Sequence, residues 1–110
     1  MTMSNAVVIN LREVREIDAG DFLSGPLGRV RLPQLQPGQR ETLIAEGQEH
    51  TLFVVRGNGD AVSGSATVAL RPGVALTLPL GSEVAVTAGD EGLELFTASL
   101  ATPQSPGAAE

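Results

Sequence analysis

The feature that most constrains this chain is a series of short apolar runs, rich in Val, Leu, Ile and Thr, that Gly and Pro interrupt. The interruptions recur roughly every 8 to 12 residues, which is typical of an all-β sandwich or barrel. Nine strands in 110 residues leave little room for helices. The pattern predicts these strands: Val7 to Leu11, Gly28 to Leu35, Glu41 to Glu46, Thr51 to Val55, Asp60 to Ser63, Ala66 to Leu70, Val74 to Leu78, Glu83 to Ala88 and Leu93 to Leu100.

Turn-forming residues separate the predicted strands. Gly57-Asn58-Gly59, Pro72-Gly73 and Ala88-Gly89-Asp90 combine residues that permit positive φ with a proline that fixes φ. We therefore expect the chain to reverse or connect strands at all three places. In the segment Leu11 to Ile17, apolar residues recur every three positions, which favours one helical turn.

The length of 110 residues suits one domain with one hydrophobic core. The apolar pattern ends near Ala101, and the last residues are rich in Pro, Gly and Ala without any periodicity. We therefore expect a single barrel domain over residues 1–101 and a disordered tail over residues 102–110.

Composition argues against several classes of partner. The three Phe are the only aromatic residues, whereas platforms that stack bases or sugars are built mostly from aromatic side chains. The net charge of −6 offers no basic face for nucleic acid. The lack of Cys excludes disulfides and thiolate metal sites. No basic leader or long apolar span is visible, so the sequence predicts a cytoplasmic protein that binds neither nucleic acid nor membrane.

Two glycine-bounded motifs occupy the middle of the chain. From Gly38 to Gly57 it reads GQRETLIAEGQEHTLFVVRG, and from Gly73 to Ala88 it reads GVALTLPLGSEVAVTA. The first resembles the cupin motif G(X)5HXH(X)3,4E(X)6G, and the second resembles the cupin motif G(X)5PXG(X)2H(X)3N, with every spacing kept. The resemblance implies an all-β fold of the cupin type, a double-stranded β-helix or jelly-roll barrel.

The residues at the cupin metal-ligand positions have changed. In cupins the two His and the Glu of the first motif and the His of the second hold a divalent metal. The corresponding positions here are Ile44, Glu46, His50 and Val84. Two of these are aliphatic, whereas stable Zn, Fe or Mn sites normally use at least three His or carboxylate ligands. We therefore expect no metal and no other cofactor, and a register that turns Glu49 and Glu83 inward is the alternative.

The polar residues left at ligand positions, Glu46 and His50, are the candidate catalytic residues. The resemblance places both inside the barrel, where a carboxylate beside an imidazole acts as a general acid and base pair. Arg29 and Arg31 alternate along a strand, which fits either an anion-binding mouth or a solvent face, and we favour the solvent face. Strand alternation around the motif positions gives the expected ligand contacts: Arg40, Thr42, Ile44, Leu52, Val54, Val84 and Val86.

Three functions compete on this basis. The favoured one is metal-independent binding of a small, largely apolar metabolite, with proton-transfer chemistry of the isomerase, epimerase, cyclase or lyase type. The second is small-molecule binding without catalysis, and the third is an accessory subunit whose barrel is filled by Leu and Val. Metal-dependent dioxygenase chemistry ranks last because the ligand set is missing. The resemblance also implies a homodimer, for which the apolar run Val7 to Ile9 offers an edge.

Overall fold

The computed structural model describes residues 2–3 and 6–102. Within them the regular secondary structure is mostly strand, with one short helix, α1 (Leu11–Val14), and one 3-10 turn (Ala19–Asp21). The strands are β1 (Thr2–Met3), β2 (Ala6–Val7), β3 (Glu16–Asp18), β4 (Leu27–Arg31), β5 (Gln34–Leu35), β6 (Arg40–Ile44), β7 (Gln48–Ser63), β8 (Ala66–Leu70), β9 (Ala75–Leu78) and β10 (Glu83–Ala101).

Two long, bent strands organise the barrel. β7 and β10 pair antiparallel along most of their length and pass together from one sheet layer to the other. The first layer has the order β8, second half of β7, first half of β10, β6. The second has the order β9, first half of β7, second half of β10, β4, β3, with β5 also paired to β10.

The two layers share one hydrophobic core. Leu70 and Val86 from the first layer pack in the same buried cluster as Leu52 and Leu78 from the second. Both layers therefore turn their apolar faces toward a common interior, which removes those side chains from water. The result is the all-β jelly-roll barrel that the sequence predicts.

The bend in β7 and β10 corrects the prediction that the chain reverses at Gly57-Asn58-Gly59 and at Ala88-Gly89-Asp90. Both strands continue through these segments. A Cβ on Gly57 would lie 2.8 Å from the carbonyl carbon of Gly92, and a Cβ on Gly59 would overlap the carbonyl oxygen of Thr87. The glycines are needed because the two backbones approach closely at the bend. The turn at Pro72-Gly73 does form, with Gly73 at φ +97°.

The N-terminal part of the chain covers the outer face of the second layer. Ile17 and Leu27 pack against a small buried cluster of Ala19, Val30 and Ala98. The predicted helical turn forms as α1, because the Asn10 side chain accepts a hydrogen bond from the Arg12 N–H (3.0 Å) at its start.

Some predicted boundaries are wrong. The strand expected from Val7 to Leu11 stops at Val7, since the Asn10 cap starts α1. The strand expected from Gly28 to Leu35 is divided into β4 and β5 at Pro33, which has no N–H for a ladder hydrogen bond. Thr102, assigned to the tail, is buried. The rest of the predicted tail, residues 103–110, lies outside the described residues. Across residues 2–3 and 6–102, no helix has the length and apolar character needed to cross a membrane.

Candidate functional site

The inward face of β10 changes from apolar to polar along its second half. Leu93 and Leu95 are buried in the core, whereas Thr97 and Ser99, two and four residues further on, line an open pocket. Because successive side chains of a strand alternate between faces, all four residues point to the same side. The side chains on this face are therefore apolar in the core and polar toward one end of the barrel.

The inward face of β7 changes in the same way. Val54 and Leu52 are buried in the core, and His50 and Gln48 line the same pocket as the β10 hydroxyls. In the register of the two strands, His50 lies opposite Ser99. The two central strands of the second layer thus bring their polar ends together at one end of the barrel, here called the mouth.

The mouth contains a pocket of about 360 Å³. Its apolar contribution from the first layer is Leu43 on β6, which also packs against the core. The lining residues are Asp18, Gly28, Arg29, Arg31, Leu43, Gln48, His50, Thr97, Ala98 and Ser99. This volume lies near the lower end of the range for small-molecule sites.

His50 is half-buried at the mouth. Its Nε2 lies 3.3 Å from the carbonyl oxygen of Ile44, which accepts a hydrogen bond when Nε2 carries the proton. Ser99, opposite His50, accepts a hydrogen bond from the backbone N–H of Arg29 (2.8 Å). These contacts to backbone hold the polar end of the second layer in place.

The charged groups at the mouth form a paired network. Arg29 pairs closely with Glu16, and Arg31 lies 3.6 Å from Glu16 and 3.6 Å from Glu41. Arg31 belongs to the second layer and Glu41 to the first, so this ion pair joins the two layers across the mouth. Asp18 uses its carboxylate to cap the 3-10 turn, accepting from the Gly20 N–H (2.9 Å).

Four of the predicted ligand contacts point inward but fill the interior. Leu52, Val54, Val84 and Val86 are all buried in the core. They lie beneath the mouth and do not line its pocket. The sequence assigned the correct face to these residues, and the cavity expected around them is occupied by their own side chains.

The other predicted positions lie on the outer side of the barrel, which corrects the expected register. On β6, Leu43 pairs with the inward Val84, so Leu43 faces inward and its neighbours Thr42 and Ile44 face outward. Ile44 is 52% exposed. The same alternation leaves Arg40 and Glu46 exposed.

Glu46 and His50 therefore do not share a cavity, and the expectation of an internal Glu-His pair is wrong. His50 lies in the mouth pocket, whereas Glu46 follows the buried Ala45 on the opposite face of the chain. The prediction carried the inward direction over from motif spacing. Spacing fixes where a residue lies along the strand, and the pairing with β10 decides its face.

The side chains at the barrel mouth do not provide the ligands for the divalent metal that the resemblance to cupins implies. The inward residues at and beside the motif positions are aliphatic: Leu43 on β6, Ala45 just after β6 and Val84 on β10. The described part of the chain holds no group of three or more His, Cys, Asp or Glu that could bind a metal. The alternative register with Glu49 inward is also wrong, because Glu49 accepts a hydrogen bond from the Leu80 N–H (3.3 Å) on the face opposite His50.

Several residues of the mouth were not identified from the sequence. Thr97 and Ser99 continue the inward face of Leu93 and Leu95, and this change of polarity on one face was the available signal. Arg29 and Arg31 were assigned to a solvent face, yet both line the pocket.

Comparison with known proteins identifies the fold. No protein-family model and no curated protein matches the chain. A cupin protein from Bacteroides fragilis superposes with a TM-score of 0.73 at 13% identity, over 94% of this chain and 90% of that chain. A predicted oxalate decarboxylase from Thermotoga maritima superposes with a TM-score of 0.65 at 16% identity, over 87% of this chain and 100% of that one.

The cupin domain of Cnp3 from Schizosaccharomyces pombe superposes with a TM-score of 0.64 at 10% identity, over 70% of this chain. This chain covers about half, 54%, of that structure. At such identities the likeness defines the fold alone. The chain has the cupin fold, which confirms the prediction made from the two motifs.

Proposed function

We propose that this cupin-fold protein binds a small, uncharged organic molecule in the mouth pocket without a metal ion. The observation that carries the proposal is the change from aliphatic to polar side chains along the inward faces of β7 and β10. A barrel with a purely structural role gains stability from aliphatic residues at these positions. His50, Gln48 and Thr97 instead place hydrogen-bonding groups around a pocket.

The pairing of the mouth's charges supports an uncharged ligand. Arg29 and Arg31 already contact Glu16 and Glu41, so an anionic ligand would have to displace one of these partners, and the Asp18 carboxylate already caps the 3-10 turn. The uncharged groups are suited to an alcohol, amide or carbonyl, while Leu43 supplies an apolar surface for the rest of the molecule. The ligand is thus more polar than the largely apolar metabolite expected from the sequence.

Proton-transfer chemistry is the second candidate function. The observation that favours it is the chain's only histidine in the pocket, with its Nε2 near a backbone carbonyl. Imidazole is the commonest general acid or base in enzymes. Because Glu46 lies on the outer side, the carboxylate expected as the partner of His50 is not in the pocket. We therefore rank ligand binding above catalysis. The filled interior agrees with the accessory-subunit alternative, which gives no reason for the polar mouth.

The test is a thermal-shift screen of small uncharged metabolites, followed by calorimetric titration of each hit. Thr97→Val and His50→Gln should each weaken binding by about tenfold, the usual effect of losing one hydrogen bond to a ligand. Thr42→Val is the matched control, because the same substitution on the outer face of β6 should leave affinity unchanged. Equal affinity in Thr97→Val and Thr42→Val would remove the mouth as the site, and turnover lost only in His50→Gln would favour catalysis.

We also propose that the protein is a homodimer. Val7, Val8, Phe22 and Leu23 are all about half exposed, and Val7, Phe22 and Leu23 line one apolar groove. A second copy covering this surface would remove it from water. Val7→Glu should halve the mass measured by light scattering, whereas Val68→Glu, at a similarly exposed valine on β8, should not. A monomer mass for the unmodified protein would contradict the proposal.

A further inference from the structure

A buried carboxylate outside the mouth gathers three arginines. Glu94 on β10 is only 3% exposed and points to the outer side of the second layer, away from the barrel interior. Its oxygens lie 3.2 Å from Arg56, 3.3 Å from Arg15 and 3.5 Å from Arg12. The Gln34 side-chain amide also donates to it, at 3.3 Å. We call Arg12, Arg15 and Arg56 the arginine cluster.

Separate elements bring the arginine cluster together. Arg12 lies in α1, and Arg15 follows it at φ 70°, in the left-handed region, with its Nη1 also donating to the Leu32 carbonyl (3.2 Å). Arg56 lies on β7 next to the bend. An arginine in the left-handed region is strained, so the contacts of Arg15 hold an unfavourable backbone conformation. These contacts fix α1 to the barrel.

The charges of this cluster do not balance. One carboxylate neutralises one guanidinium, which leaves an excess of two positive charges at Glu94. At the mouth, by contrast, Arg29 and Arg31 share two carboxylates. All seven basic residues of the chain are arginines, and three of them meet here although the net charge is −6. Like charges held close together repel, and a bound anion relieves that repulsion.

The cluster is accessible to a ligand. Arg12 is 56% exposed and Arg56 is 66% exposed, whereas the Glu94 carboxylate is covered. Each guanidinium carries five N–H donors in a planar fork, and Arg56 makes one hydrogen bond to Glu94 through its Nη2. Both guanidinium groups therefore keep N–H donors that Glu94 does not use, and the planar fork of a guanidinium suits pairs of carboxylate or phosphate oxygens.

We propose that Arg12 and Arg56, positioned by Glu94 and Arg15, form a second binding site that takes the carboxylate or phosphate group of a small molecule. Two further carboxylates lie nearby: Glu13 follows Arg12 in α1, and Glu91 lines the groove beside Arg56. Neither forms an ion pair with the cluster within the described residues, so neither takes the place of the ligand anion.

The test is calorimetric titration of the whole chain with inorganic phosphate and, separately, with succinate, at low ionic strength. We expect one saturable site per chain. Arg12→Gln and Arg56→Gln should each weaken the affinity by about tenfold, as expected for the loss of one charge-assisted contact. Arg71→Gln, an exposed arginine elsewhere, is the matched control and should leave the affinity within about twofold. Tighter phosphate binding indicates a phosphorylated ligand, and tighter succinate binding indicates a carboxylate ligand.

The Glu94→Gln variant should change the phosphate affinity in the opposite direction to the arginine variants. Removing the internal carboxylate raises the positive excess, so phosphate should bind several-fold more tightly to this variant than to the unmodified protein. If Glu94 acts only as a structural clamp, the variant loses stability and phosphate has no effect on either protein. No saturable binding of either anion, or equal weakening by Arg71→Gln, would overturn the proposal. If Glu94→Gln does not fold, the two arginine variants decide it.

Discussion

The interior and the mouth of this barrel are built from the same two strands and carry opposite chemistry. On β10, Leu93 and Leu95 lie in the core, and Thr97 and Ser99 continue the same face into the pocket. Burial of the leucines drives the chain into a barrel. The hydroxyls add little to that burial. The difference indicates that the interior determines the fold, while the function is to be sought at the mouth.

The first way to test this comparison is to remove side-chain volume from the interior. Leu52→Ala should destabilise the protein by about 2–5 kcal/mol, because it leaves a cavity in a packed core. Urea unfolding followed by circular dichroism measures the loss. Phe53→Ala, the next residue on the outer face, is the control and should cost less because Phe53 is exposed. Equal losses would mean that the interior is less tightly packed than its burial indicates.

A second test concerns the bend at which both strands change layer. Gly57→Ala should cost about 2 kcal/mol or more, because it adds left-handed strain to a clash with the Gly92 backbone. Gly73→Ala separates the two effects, since Gly73 has φ +97° and open space where the Cβ would lie. Gly73→Ala should therefore show the strain alone, at about 1 kcal/mol. A Gly57→Ala variant no less stable than Gly73→Ala would contradict the close approach at the bend.

How far the sequence could predict this architecture depended on how clearly each strand distinguishes its two faces. The inward direction of Val84 and Val86 followed from their alternation with polar or small residues. Leu52 and Val54 have large apolar neighbours, so their direction followed instead from counting every second position from His50. The edge strand β6 lacks such a distinction, because apolar residues occur on both of its faces. Its face is decided by pairing with β10, which lies some forty positions further along the chain. A local motif spacing could not supply that information.

The bend was misinterpreted for a related reason. Gly57-Asn58-Gly59 has the composition of a tight turn, and its effect here depends on the distant Asp90 and Glu91. Asn58 donates to Asp90 Oδ1 (3.1 Å) and accepts from the Glu91 N–H (3.0 Å), which ties the two bends together. The turn propensity of these residues shows only that the backbone can turn here. Pairing with the other long strand determines that the chain bends instead of reversing.

A third test replaces a polar residue of the mouth with an apolar one, like those of the interior. Thr97→Val should raise the free energy of unfolding by about 0.5–1 kcal/mol, because an apolar group replaces a hydroxyl at a nearly buried position. The same variant should bind the ligand more weakly, so stability and binding would change in opposite directions. Thr42→Val, on the exposed face of β6, should change stability by less than about 0.5 kcal/mol. A loss of stability in Thr97→Val would mean that the hydroxyl serves the fold.

The smallest expected effect is that of metal. Adding Zn²⁺, Mn²⁺ or Ni²⁺ should leave the Tm of the unmodified protein unchanged, because no second and third metal ligand of the His, Cys, Asp or Glu type is grouped with His50 in the described part of the chain. Elemental analysis that finds a tightly held metal in the purified protein would contradict this.

Restoring ligands turns this expectation into a test of register. The double variant Leu43→His/Val84→His places imidazoles at two paired, inward positions, of which position 43 lines the same pocket as His50, so Zn²⁺ should raise its Tm in a concentration-dependent way. The variant Ile44→His/Val84→His follows the cupin motif spacing instead. Since Ile44 faces outward, Zn²⁺ should leave its Tm unchanged. If the Ile44 variant gained the metal and the Leu43 variant did not, the inward face of β6 would be the one that motif spacing indicates, and Glu46 would return to the site beside His50.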